Sequence, residues 1–70
     1  MNILLQLGMR IKFLRKNIKM SQLALSLESG VNKNYISDLE KGRRNPTILI
    51  LNKIAIALNI DLATLFKGIQ

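Results

Sequence analysis

Apolar residues recur along the first quarter of the chain at alternating spacings of three and four. These positions are Leu4, Leu7, Ile11, Leu14 and Ile18. Such a stripe is typical of an amphipathic helix that turns one face toward a core. Basic residues stand in its last turns, where the helix dipole favours cations. The pattern therefore predicts a first helix that ends near Asn17.

Four more helices are predicted where a capping residue precedes a short apolar segment, because a side-chain oxygen at a cap accepts a hydrogen bond from the first turn. The predicted helices are 22–29 after Ser21, 33–41 after Asn32, 48–58 after Thr47 and 62–66 after Asp61. The residues expected to end them are Gly30, Gly42, Asn59 and Gly68. No long segment alternates with a period of two. The sequence thus predicts a single compact all-α domain of five helices over residues 1–70.

Composition narrows the classes of function. The chain has 70 residues, no cysteine and no histidine. Disulfides and thiolate metal sites are thereby excluded, and the commonest general base and metal ligand is missing. No apolar stretch approaches the ~18–20 residues that span a bilayer. We therefore expect a cytoplasmic protein that is not an enzyme, uses no cofactor or metal and does not enter a membrane.

The charge is distributed unevenly along the chain. Eleven Lys and Arg residues oppose four Asp and Glu residues, which gives a net charge of +7, and residues 1–27 contain no acidic residue. From residue 46 onward the sequence is mostly apolar. A basic surface beside an apolar end favours a polyanion as one partner and a protein as another. The alternative is a basic surface that is only solvated.

The second and third predicted helices, joined by a tight turn with a glycine, have the pattern of a helix-turn-helix. Leu25 on the first of them is expected to contact Ile36 and Leu39 on the second, which share a face at a spacing of three. The opposite face of the second helix carries Lys33, Asn34, Ser37 and Lys41. A polar and basic helix face next to a loop with two arginines suits the major groove of DNA.

Several short motifs occur together in this chain. They are MRIKFLRK in the first helix, SQ at Ser21 and Gln22, GVN at the turn, YISDLEKGRRNPT after it and IAIALNIDLATLF near the end. Together they resemble the helix-turn-helix family of phage Cro and cI-type repressors, often called the XRE family. The Tyr35-Ile36-Ser37 run with Arg44-Asn45 is similar to the controller proteins of restriction–modification systems. The resemblance implies a lambda-repressor-like fold and a transcriptional regulator that binds double-stranded DNA.

The resemblance also implies candidates for DNA contact. The base-reading candidates are Lys33, Asn34, Ser37 and Asp38, and the phosphate-contacting candidates are Gln22, Tyr35, Lys41, Arg43, Arg44 and Asn45. Lysine can donate to guanine, and asparagine can bond adenine through two atoms. Alternatives stay open: Gln22 completes a helix cap, Lys33 and Asn34 are solvated, and Tyr35 packs at the edge of the core. Asp38 either accepts from cytosine N4 or, as we favour, restrains a neighbouring lysine.

Two further residues are expected to stabilise the scaffold. In the family that this chain resembles, the positions of Arg15 and Glu40 form a buried or half-buried ion pair between the first and third helices. We therefore expect a structural pair here and keep both residues out of the base-reading set.

Apolar residues stand at several positions where the family usually carries polar ones. Leu49, Ile56 and Ala63 follow each other at a spacing of seven and are predicted to form the seam of a homodimer. A two-fold dimer would hold two recognition helices about 34 Å apart and require a palindromic operator. The alternative is that these residues fill the core of a monomer. Leu23 and Leu27 lie four residues apart and are unexplained unless they contact a second protein.

Three hypotheses on function follow from the sequence. The first is a dimeric, sequence-specific transcriptional regulator, with restriction–modification genes as candidate targets. The second is an antitoxin or other interaction protein whose apolar surface binds a second chain. The third is a membrane-active cationic helix, which the ordered caps and turns disfavour.

Overall fold

The computed structural model describes residues 2–70. Met1, the first residue of the predicted domain of residues 1–70, lies outside the described residues. The chain forms five α-helices, with no strand among the described residues. They are α1 (Ile3–Asn17), α2 (Gln22–Ser29), α3 (Lys33–Glu40), α4 (Ile48–Ala57) and α5 (Leu62–Leu65). The predicted all-α fold is confirmed. The last three helices end one residue earlier than predicted because Lys41, Leu58 and Phe66 are their C-caps.

The helix starts follow directly from local capping chemistry. Each predicted cap accepts a hydrogen bond from the first turn of its helix, as in the 2.9 Å bond from Ala24 N to Ser21 Oγ. Asn2, which the sequence pattern did not single out, caps α1 in the same way through a 2.7 Å bond from Leu4 N. The bonds that Asp61 accepts from Thr64 lower the pKa of this carboxyl group.

The core lies between the inward faces of all five helices. Its fully buried large side chains are Ile11, Leu25, Ile36, Leu39, Ile54 and Leu65. Burial of each contributes about 1.5–3 kcal/mol. Leu25, Ile36 and Leu39 lie in one buried cluster, as the helix-turn-helix pattern predicts.

The predicted apolar stripe of the first helix is wrong at Ile18. This side chain is exposed, because α1 ends at Asn17 and the chain turns away through Lys19, which has a φ of 59°. The helical spacing therefore stops one residue before Ile18. The remaining stripe members are buried or half-buried.

A glycine lets α1 cross α3 at close range. A Cβ atom added to Gly8 would lie 2.8 Å from the carbonyl carbon of Glu40 and closer still to the carbonyl oxygen of Leu39. Real Cβ atoms do not approach backbone atoms this closely, so only glycine fits unless the helices move apart. The sequence pattern did not identify this contact, because it joins residues that are distant in the chain.

An arginine links α1 to the end of the domain. Arg10 Nη2 donates to the carbonyl oxygen of Thr64 at 2.9 Å, and Arg10 Nε donates to that of Leu65 at 3.3 Å. These carbonyls belong to the last turn of α5, where helix acceptors lack an intrahelical partner. The contact fixes α5 against α1.

Candidate nucleic-acid interface

The inner side of α3 is tied to α1 by Arg15 and Glu40, which we call the inner ion pair. Arg15 Nε lies 2.7 Å from Glu40 Oε2, and Arg15 Nη2 donates to Glu40 Oε1 at 2.9 Å. The side chains are only 7% and 3% exposed. Arg15 also donates through Nη1 to the carbonyl oxygen of Met20 at 2.9 Å. The hydrogen bonds to Glu40 raise the pKa of Arg15 above its ordinary value, against the effect of burial.

Gln22, expected at a DNA phosphate, contacts the inner ion pair. Its Nε2 donates to Glu40 Oε1 at 3.1 Å, and its side chain is half-buried at the first residue of α2. This bond uses one of the two N–H donors that a glutamine amide carries. The structure therefore joins the start of α2 to the scaffold that orients α3.

The outer face of α3 presents polar side chains to solvent. Lys33 and Asn34 are exposed in its first turn, and Ser37 and Asp38 are half-buried one turn later. Residues spaced by three and four share a helix face, so all four lie on one side. The Asn32 side chain caps this helix by accepting from Asn34 N at 2.7 Å. A short helix with a solvent-exposed polar first turn has the form that enters a major groove.

The chain leaves α3 through a Schellman motif. Gly42, with a φ of 74°, donates from N to the carbonyl oxygen of Leu39 at 3.0 Å, and Arg43 N donates to that of Asp38 at 2.9 Å. The backbone of Gly42 lies against Leu5 of α1, because an added Cβ would be 2.9 Å from the Leu5 Cα. Residues 43–46, which we call the basic loop, follow this turn and are thus held next to the outer face of α3.

This loop and the end of α3 carry the remaining phosphate-contact candidates. They are Lys41, Arg43, Arg44 and Asn45, and all four are exposed. Arg44 folds back onto α3, a contact that the sequence pattern did not predict. Its Nη2 lies 3.4 Å from Asp38 Oδ2, and its guanidinium carbon lies 5.0 Å from the centroid of the Tyr35 ring.

We call Asp38 and Arg44 the outer ion pair. Asp38 thus faces an arginine and not the lysine that we favoured as its partner. The turn at Gly42 reverses the chain and brings position 44 back to position 38. The signal in the sequence is the combination of an acid on α3, a glycine and an arginine two residues after it.

The predicted dimer residues lie on the surface away from the core. Leu49 and Ile56 on α4 are 71% and 68% exposed, and Ala63 on α5 is exposed as well. The alternative that Leu49 and Ile56 fill a monomer core is therefore wrong. Leu23 and Leu27 on α2 are also exposed.

No cluster of acidic side chains that could hold a metal ion occurs in residues 2–70. In the same range, none of the helices has the length and apolar character needed to cross a membrane.

The sequence that forms this site matches a known family. The sequence profile of a family described as helix-turn-helix matches residues 11–65, which include the inner ion pair, α3 and the basic loop. The chain belongs to the helix-turn-helix family. The resemblance to XRE-type proteins that the motifs indicate is confirmed.

Relatives and solved structures extend the match over nearly the whole chain. The control protein C.MunI of Mycoplasma sp is 33% identical over 70 residues, covering 99% of this chain and 95% of the relative. The immunity repressor protein of Bacillus phage phi105 is 34% identical over 58 residues, but this chain spans only 40% of its length. The crystal structure of the restriction–modification controller protein C.AhdI from Aeromonas hydrophila superimposes with a TM-score of 0.88 at 35% identity, covering 90% of this chain and 96% of that one.

Proposed function

We propose that this helix-turn-helix protein is a sequence-specific transcriptional regulator that binds double-stranded DNA in the cytoplasm as a homodimer on a palindromic operator. We further propose that its targets are restriction–modification genes, since C.MunI and C.AhdI are named as controller proteins. The observation that carries the proposal is the exposed polar face of α3, held in position by the inner ion pair and flanked by the basic loop.

Base reading is assigned to the first turn of α3 and the residues one turn later. The Lys33 ammonium can donate to O6 and N7 of guanine, and the Asn34 amide can bond N6 and N7 of adenine. Ser37 contacts either a base edge or a phosphate. Asp38 is the fourth candidate, and its carboxylate can accept from cytosine N4 when it is not paired with Arg44.

Phosphate contact is assigned to the basic loop and to the start of α2. Lys41, Arg43 and Arg44 supply charge, and Asn45 supplies a neutral donor. The loop thereby fixes the register of α3 without reading sequence. Gln22 stands at an α2 N-terminus whose dipole favours an anion, and it keeps one amide donor beyond the bond to Glu40. Tyr35 is assigned to phosphate through its hydroxyl group.

Dimer formation is assigned to α4 and α5. The exposed pair Leu49 and Ile56 is apolar and lies seven residues apart on one face of α4. Ala63, which is exposed on α5, is assigned to the same seam. Large exposed aliphatic side chains on a small domain favour an interface. Burial in a two-fold seam would remove them from water and pair two recognition helices at the spacing of one duplex turn.

Fluorescence anisotropy with a random-sequence duplex, repeated over a series of salt concentrations, tests DNA binding. Affinity is expected to fall steeply with salt, with a log–log slope near −0.9 for each phosphate contacted. Light scattering on the free protein is expected to give twice the chain mass of 7.9 kDa. Selection from a random library should then return a palindrome. A monomer that ignores duplex DNA at low salt would refute the proposal.

The second candidate function is an interaction protein such as an antitoxin. It is favoured by Leu23 and Leu27, which form an exposed apolar pair on α2, a different helix from those that carry the predicted seam. Co-purification of a second chain that is lost in Leu27→Ser would support it. If co-purification of that chain depended only on Leu49 and Ile56, the result would count against a separate binding surface on α2.

A further inference from the structure

The outer ion pair lies at the centre of the proposed DNA interface. Asp38 belongs to the outer face of α3, and Arg44 belongs to the basic loop. One contact of 3.4 Å joins them, and their side chains are 49% exposed for Arg44 and 36% exposed for Asp38. The centroid of the Tyr35 ring lies 5.0 Å from the same guanidinium group, and Tyr35 is packed against the core. Arg44 is therefore held against α3 by two neighbours.

The contact between Asp38 and Arg44 is weak compared with what DNA offers. A single long contact between exposed charges contributes little and is screened by salt. A phosphate group can accept two parallel hydrogen bonds from a guanidinium group and carries its charge on a fixed backbone. Phosphate is therefore the stronger partner for Arg44 once a duplex is bound.

We propose that Asp38 competes with DNA phosphate for Arg44 and thereby limits the affinity of the site. This inference rests on the proposed function. In the free protein the carboxylate neutralises Arg44, and on the duplex a phosphate replaces it. The released carboxylate then remains on a helix face next to a polyanion. Both effects weaken binding relative to a neutral residue at position 38.

A double-mutant cycle on random-sequence duplex tests the competition, since such DNA removes base-specific contacts. The variants are Asp38→Asn, Arg44→Met and the double variant. Asp38→Asn keeps the shape of the side chain, and Arg44→Met keeps an unbranched apolar stem without the guanidinium group. Asp38→Asn is expected to tighten binding about two- to fivefold, the range set by the energy of an exposed ion pair. In the Arg44→Met background, Asp38→Asn is expected to increase the affinity for duplex DNA by a clearly smaller factor.

Glu28→Gln serves as the matched control. It removes an exposed carboxylate from α2 that forms no ion pair among the described residues. The increase in DNA affinity of Glu28→Gln measures the effect of one lost negative charge without the release of an arginine. We expect this increase to be smaller than the increase caused by Asp38→Asn. Circular dichroism checks that every variant keeps its helices.

An NMR measurement follows the exchange directly. In the free protein the Tyr35 ring is expected to shift the Cδ protons of Arg44 upfield, because the guanidinium group lies over its face. Addition of duplex is expected to remove this shift as Arg44 moves to phosphate. An unchanged shift in the bound state would overturn the proposal.

The remaining outcomes separate this inference from the proposed function. If Asp38→Asn increased DNA affinity equally with and without Arg44, the effect would be due to charge alone. This result would overturn the proposed competition. Weaker binding by Asp38→Asn would mean that Asp38 positions Arg44, which also overturns it. Either result leaves DNA binding intact, whereas failure of the unmodified protein to bind duplex at low salt would remove both proposals.

Discussion

Two arginine–carboxylate pairs lie on opposite sides of α3, and they differ in almost every property that decides what such a pair does. The inner ion pair is bidentate, 2.7 Å at its closest, and its side chains are 7% and 3% exposed. The outer ion pair has one contact of 3.4 Å, and its side chains are 49% and 36% exposed. The same two chemical groups thus give a fixed structural contact on one side and an exchangeable one on the other. Burial and geometry, and not residue type, decide which role a pair takes.

The largest effect is expected from breaking the inner ion pair. Glu40→Gln leaves the Arg15 guanidinium buried without its counterion, at a cost of ~3–5 kcal/mol in the free energy of unfolding. Urea denaturation followed by circular dichroism measures this change. The double variant Arg15→Met with Glu40→Leu is the control, because replacing both charges by apolar groups is often close to neutral. Equal losses in the single and double variants would contradict a buried-charge mechanism.

A smaller loss is expected when the approach of α1 to α3 is obstructed. Gly8→Ala forces the two backbones apart, and overpacking of this kind costs roughly 1–3 kcal/mol. The loss is measured as a lower midpoint in urea denaturation. Alanine is the better helix former by about 1 kcal/mol. A Gly8→Ala protein more stable than the original by about 1 kcal/mol would therefore show that the helices separate without effect on the core.

Substitution on the outer face of α3 should change DNA binding and leave stability alone. Lys33→Met is expected to weaken binding to the selected operator by about 1–3 kcal/mol, since one base contact is lost. Its free energy of unfolding should stay within about 0.5 kcal/mol of the original because the side chain is exposed. Lys53→Met on α4 is the control for a lost positive charge. Equal weakening by the two variants would argue against base reading by Lys33.

A much smaller effect on stability than at the inner ion pair is expected at the outer ion pair. Asp38→Asn should change the free energy of unfolding by no more than about 1 kcal/mol, as is typical of exposed pairs. Measuring the free energy of unfolding at low and high salt distinguishes the two pairs further. Salt screens the outer ion pair and hardly affects the buried inner ion pair. A loss at Asp38 as large as that at Glu40 would mean that the two pairs do not differ as their geometry indicates.

The helices could be predicted from the sequence because their start signals are local. Ser21, Asn32, Thr47 and Asp61 each cap a helix through a bond to a residue three positions or fewer ahead. Ile18 shows where the rule stops, since a periodic pattern does not reveal that the chain has already turned.

Contacts across the fold could not be predicted from local patterns alone. The pairing of Arg15 with Glu40 was expected only through the family resemblance, whereas the link from Gln22 to the same carboxylate was not expected at all. The contact between Asp38 and Arg44 depends on a chain reversal whose geometry is set by hydrogen bonds around Gly42. The close approach at Gly8 depends on the position of a helix that is distant in sequence.

The link between Arg10 and the last turn of α5 has a consequence for how this surface can vary. Its acceptors are the main-chain carbonyls of residues 64 and 65, which every residue type provides. The contact therefore requires an arginine at position 10 but sets no requirement on the side chains of α5 itself. The outward residues of that helix are free to change without loss of its attachment to α1. The same scaffold can in this way carry different side chains on the outer face of α5.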